Sequence, residues 1–180
     1  LTLDASSNSQ HSRALQFKGG MEQVTVTNNE LTGTFNATNE TANALIFARD
    51  NYFEGILLSQ NLIHNSSYGV YFQRSDISQP YSEGLQIEHN TIHNAGYGGV
   101  FVQRVHAPSV TQNQISSGTR GVELFNCEDS LKVLGNQVNL ENGYGVYLNS
   151  VIATTNTRGL LANNFITVNG SSIAHGIFLE

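Results

Sequence analysis

The chain has 180 residues, of which 12% are charged, a formal net charge of −6, and only two lysines, Lys18 and Lys132. So thin a basic complement excludes nucleic acid as a partner, because phosphate binding needs dense positive charge. There is no run of about 18 apolar residues to span a membrane, and the single cysteine, Cys127, rules out an intrachain disulfide.

In chain order, the first recognisable element is the short apolar alternation Ala14 to Phe17. A longer frame then begins at Val24, apolar–x–apolar–x–x–Asn–x–apolar, and recurs down the chain. It fits Val24 to Leu31, Ile56 to Ile63, Leu85 to Ile92 and Leu131 to Val138, and more loosely Pro108 to Ile115 and Gly159 to Ile166. Its Asn slot falls on Asn29, Asn61, Asn90, Asn113, Asn136 and Asn164, at successive separations of 32, 29, 23, 23 and 28 residues. A second frame, Gly–apolar–x–apolar, follows most of these: Gly69 to Phe72, Gly99 to Val102, Gly121 to Leu124, Gly145 to Leu148 and Gly176 to Leu179. Ala44 to Phe47 and Ala14 to Phe17 are read as the same slot with Ala in place of Gly.

Period-2 alternation over three to five residues predicts short strands with one buried face. Such units cannot fold singly, but stacked they bury a continuous apolar column. The predicted fold is therefore all-β: a right-handed parallel β-helix (a solenoid) of about seven coils, the first incomplete, with an internal Asn ladder. One domain is expected over 1–180, a segment of a longer chain. The longer insertions, "TGTFNATNETAN" after Leu31, "SDISQPYSEG" after Arg74 and "SVIATTNTRG" after Asn149, fall between frames, where loops leave the stack.

The Asn slot is expected at a bend, with each amide bonding corner backbone and the Asn one coil away. A buried amide is tolerable only when satisfied, so the slot predicts a complete ladder. The alternative use of an Asn column is a metal or sugar site. The glycine slot is read as a tight corner.

This pattern resembles the right-handed parallel β-helix repeat proteins of bacterial surfaces, whose coils carry Asn ladders. The stretch "GLLANNFITVNGSSIAHGIFL" is similar to the large cell-surface proteins secreted by the type IX route. The resemblance implies an extracellular or cell-surface location. It does not imply one activity, since the architecture hosts pectate lyases, polygalacturonases, alginate epimerases, tailspikes and adhesins. The polygalacturonase Asn-Thr-Asp, Asp-Asp and Gly-His-Gly set, the epimerase Asp-Pro-His and the clustered aspartates of pectate lyases are not found; "AHG" at Ala174 is the one echo.

Stacking turns sequence positions into columns. The x of the second frame points outward and reads Gln16, Ile46, Tyr71, Phe101, Glu123, Tyr147 and Phe178. Tyr71, Phe101, Tyr147 and Phe178 on one outer face predict either a surface covered by loops or a neighbouring domain, or a carbohydrate contact. Arg49, Arg74 and Arg104 are assigned one slot beside that column. They are read either as internal salt bridges with Asp50, Asp76 and Glu83 or as the wall of an acidic-glycan groove. His64 and His93 are expected to stack outward on neighbouring coils, and with His89 they are weak metal candidates. Glu88 and Glu123 are the carboxylates considered for glycoside hydrolysis. Sequons stand at Asn36, Asn39, Asn65 and Asn169.

The sequence thus favours an adhesin, rigid stalk or carbohydrate-contacting module over an enzyme, with no catalytic residue and no cofactor assigned. The expected partners are a polysaccharide or neighbouring domains of a surface assembly. The competing reading is a polysaccharide lyase or hydrolase whose site lies on the aromatic and arginine columns.

Overall fold

The computed structural model describes residues 2–4, 13–35, 38, 41–153, 156–170 and 174–180. Every strand pair is parallel, and the chain winds as a right-handed solenoid of about six turns, one fewer than the repeat count suggests. A single short 3-10 turn, Thr41–Asn43, is the only helical element among the described residues.

Each turn presents three faces. The first is built from Met21–Thr27, Phe53–Ser59, Ser82–Glu88, Ser109–Thr111, Lys132–Leu134 and Leu160–Ala162, stacked in that order. The second follows the Asn corner: Glu30–Thr32, the early part of Leu62–Gln73 and of Thr91–Gln103, then Gln114–Ser117, Gln137–Leu140 and Phe165–Val168. The third comprises Leu15–Phe17, Ala44–Arg49, the later part of the same two long strands, Arg120–Phe125, Gly143–Asn149 and Ala174–Leu179.

The core is a set of in-register apolar columns running along the axis. Val24, Ile56 and Leu85 stack on the first face. Val70, Val100, Val122, Val146 and Ile177 stack on the third. Burying β-branched and Leu side chains in successive layers supplies about 1.5–3 kcal/mol per fully buried residue, and each layer needs the next one to be buried at all.

The first corner is held by the asparagines. The backbone N–H and Nδ2 of Asn61 both donate to Oδ1 of Asn90 at 3.0 Å, while its second amide hydrogen reaches the carbonyl of Val26 at 2.9 Å. The same arrangement links Asn29 to Asn61, Asn90 to Asn113, Asn113 to Asn136 and Asn136 to Asn164. Asn61, Asn90, Asn113 and Asn136 are each 1% exposed, yet both amide hydrogens and the acceptor of each are used. That is the condition under which a buried amide is tolerated.

Two details differ from the sequence expectation. The ladder asparagines do not make the left-handed bend. The residue before each does so: Asn28, Gln60, His89, Gln112, Gly135 and Asn163, with φ between 54° and 63°. The ladder Asn is thereby free to aim its amide along the axis.

The glycine column is likewise not a column of bends. Gly69, Gly99, Gly121 and Gly145 lack positive φ, and a Cβ there would come within 2.4 Å of Ile92, 2.3 Å of Ile115, 2.4 Å of Val138 and 2.2 Å of Ile166 respectively. Glycine leaves the space that the second-face side chain of the following coil fills.

Candidate functional site

The outer surface of the third face is an aromatic wall. Phe47 stacks on Tyr71 at 5.7 Å between ring centroids, and Tyr71 on Phe101 at 4.6 Å with 12° between planes. Glu123 follows in register with Phe101 on one side and Tyr147 on the other. Tyr147 and Phe178 then lie 5.6 Å apart. Tyr71, Phe101, Tyr147 and Phe178 therefore occupy one column, interrupted by a single carboxylate.

Ile46 does not belong to this column. It pairs with Val70 and is fully buried, and Phe47 takes the outward position. The cause is Leu45, which occupies the place that glycine takes in later coils. The frame over residues 44–47 consequently shifts by one residue.

A second column, not anticipated from the repeat, runs beside the first. Ala44, Tyr68, Gly98, Arg120, Tyr144 and His175 are in register. Tyr68 packs against Tyr71, Tyr97 and Phe101, and Tyr144 against Tyr147, His175 and Phe178. The signal was in the sequence: these are the residues immediately before the glycine slot.

The wall is closed at one end and open at the other. Phe47, Tyr68 and Tyr71 are 3%, 3% and 5% exposed, whereas Phe101, Tyr97, Tyr144, Tyr147 and Phe178 are half-buried. Burial pushes the Tyr71 phenol up to about 12 and raises Tyr68 further. Both stay neutral at any ordinary pH, so the wall is uncharged except where an arginine or Glu123 enters it.

Arg120 is that entry. Its guanidinium lies 4.3 Å from the Tyr144 ring centroid, 5.4 Å from Tyr147 and 6.0 Å from Tyr97, inside the range of cation–π attraction. Its Nε is 3.7 Å from the Glu123 carboxylate, near enough for charge attraction but not for a hydrogen bond. Among the described residues that buried Nε has no hydrogen-bond partner. Burial raises the Glu123 carboxyl above its ordinary range and Arg120 opposes the shift. Arg120 and Glu123 form one ionic rung between two blocks of rings.

The three arginines assigned to one slot separate. Arg49 pairs with Gln73, donates from Nε to Gln73 Oε1 at 2.8 Å, and stays exposed at the border of the wall. Arg74 and Arg104 lie one position further on, past the strand, where Asp50 stands in the earlier coil. They are 5% and 8% exposed because the insertion 75–84 folds back over them. Arg104 donates from Nη2 to the carbonyl of Gln79 at 3.0 Å and stands 4.4 Å from the Tyr81 ring; Arg74 faces Tyr52 at 5.6 Å. They strap a loop and do not line a groove. Asp50, expected as a salt-bridge partner, instead accepts from Ser75 N and Oγ.

His64 and His93 stack with centroids 5.0 Å apart, on the second face and away from the wall. His64 Nε2 contacts Thr32 Oγ1 at 2.8 Å and lies 3.4 Å from Glu30. His89 stands apart, at the left-handed corner before Asn90. Among the described residues no group of three His, Cys, Asp or Glu is arranged to hold a metal ion. Glu88 lies on the first face and Glu123 on the third, so the two cannot flank one glycosidic bond. Cys127 is fully buried and its thiol is pushed up to about 12 by desolvation, which makes it unreactive. Of the sequons, Asn65 and Asn169 bond to neighbouring asparagines, while Asn36 and Asn39 lie outside the described residues.

No helix among the described residues is long and apolar enough to cross a membrane. A family model for the right handed beta helix region matches residues 13–180. No curated protein and no solved structure matches the chain.

Proposed function

The chain belongs to the right-handed β-helix family, and from that premise we propose that it is a secreted or cell-surface scaffold, an adhesin or rigid stalk, whose aromatic wall contacts an acidic polysaccharide without cleaving it. The observation that carries this reading is the open part of the in-register column, Phe101, Tyr147 and Phe178, with Arg120 set among the neighbouring tyrosines. Aromatic faces cover the apolar faces of sugar rings, and the half-buried Arg120 guanidinium, whose Nη1 already donates to the Thr119 carbonyl and whose Nε is buried, keeps Nη2 as a donor for a uronate carboxylate. Arg49, at the exposed border, adds a second positive charge. Arg74 and Arg104, buried under their loop, have no part in it.

One observation favours a second reading, a lyase or hydrolase. Glu123 sits half-buried on the wall with its carboxyl raised, as a general acid requires. The experiment is a panel of acidic and neutral polysaccharides, scored for binding and for product. Retention of acidic chains with no product is the expected result. Unsaturated or reducing-end products would replace the scaffold reading with the enzymatic one.

A further inference from the structure

The second face carries a groove on the opposite side of the glycine column from the aromatic wall. Two adjoining cavities, of about 520 Å³ and 390 Å³, share Ser116, Asn139 and Asn169 in their linings and run along the solenoid axis. Their floor is made of two in-register outer columns. Gln114 pairs with Gln137 and Gln137 with Phe165; Ser116 pairs with Asn139 and Asn139 with Thr167. Amide and hydroxyl groups are thereby repeated at one strand spacing, about 4.8 Å. Among the described residues the side chains of Gln114, Ser116 and Gln137 enter no hydrogen bond or ion pair. Phe165, 67% exposed, ends one column, and Phe35, 50% exposed, borders the other cavity.

We propose that this groove binds a neutral, linear glycan lying along the solenoid axis. Each amide and hydroxyl of the floor is both donor and acceptor, with only the Asn139 Oδ1 engaged, by Asn169, which suits a chain of sugar hydroxyls. The backbone of these strands is already spent on coil-to-coil pairing, so an extended peptide finds no free edge to extend. Glu141 is the one carboxylate in the lining and His93 the one basic group, so nothing there selects a charged chain. Phe165 offers a ring face to one sugar. The site is separate from the aromatic wall and shares no residue with it.

The test is calorimetric titration with neutral β-1,4-linked hexasaccharides of glucose, mannose and xylose. At least one is expected to bind. The combined Gln114→Ala/Gln137→Ala variant should weaken that binding about tenfold or more, the equivalent of one or two net hydrogen bonds, and Phe165→Ala should weaken it too. Phe101→Ala, on the wall, should leave it unchanged. All these groove positions are exposed, and an unchanged melting temperature shows that the variants remain folded. Failure of all three hexasaccharides, or parent affinity in both groove variants, overturns the proposal. Neutral binding lost in Phe101→Ala but kept in the groove variants also overturns it and moves the sugar to the wall. Loss of acidic-chain binding alone would defeat the function proposed above and leave the groove standing.

Discussion

Asn113 gives both its backbone N–H and its Nδ2 to one acceptor, Oδ1 of Asn136, at 3.0 Å each. Its own Oδ1 receives the same two donors from Asn90. A buried side chain with this wiring acts as the backbone of the corner in all but name.

Asn113→Ala therefore strands two donors of Asn90 and removes the donor to the carbonyl of Ile87. Each unsatisfied buried group costs about 1–3 kcal/mol, so denaturant unfolding should show a loss of at least that size. Asn139→Ala, exposed on the second face, is the control and should change stability by less than about 0.5 kcal/mol. Equal losses in the two variants would mean that the column does not carry the corner.

The glycine column gives a sharper contrast, because its members are alike in sequence and unlike in surroundings. A Cβ at Gly121 would meet the Gly145 carbonyl at 2.2 Å and Val138 at 2.4 Å, whereas at Gly176 it meets nothing within 4 Å. Gly121→Ala should lower stability by about 1–3 kcal/mol through overpacking, and Gly176→Ala should leave the melting temperature unchanged. A benign Gly121→Ala would show that the second-face side chain does not fill that space.

Val122 lies between Val100 and Val146 and is fully buried. Val122→Asp puts an unpaired carboxyl between two apolar layers, and a cost of several kcal/mol is expected in thermal or denaturant melts. A melt matching the parent would contradict the assignment of the inward columns.

The repeat, the strand order and the ladder positions were legible in the sequence because one residue type recurs at one slot and alternation marks the inside face. The reason for the glycines was not, since it lies in a side chain one coil away. The slip at Leu45 is hidden for the same cause: its side chain packs against Gly33, outside the frame over residues 44–47. The place of Arg74 and Arg104 is not legible from the repeat, because their burial depends on how the insertion 75–84 folds back, which has no period. Arg120, Tyr68 and Tyr144 are the residues before each glycine, a position whose outward direction alternation alone does not mark, because the glycine beside it has no side chain.

Glu123 makes a pH prediction. Its carboxyl is raised in the folded state, so its neutral form is favoured by folding. The stability this contributes is full below the unfolded value, near 4.5, and is lost as pH rises through the higher folded value. Melting temperatures recorded upward from pH 4 should therefore fall less in Glu123→Gln than in the parent. Parallel profiles would mean that Arg120 compensates the burial in full.

The central claim is that the ring column and Arg120 form one contact surface for an acidic polysaccharide, and affinity electrophoresis through polygalacturonate tests it most directly. The parent should be retarded, and Phe101→Ala and Tyr147→Ala should each run faster. Arg120→Gln should bind more weakly and with a smaller dependence on salt, because the screened charge is gone. Arg104→Gln, whose parent side chain is buried beneath its loop, should keep the parent mobility shift if its fold is intact. Retardation that survives Phe101→Ala, Tyr147→Ala and Arg120→Gln alike would contradict the account.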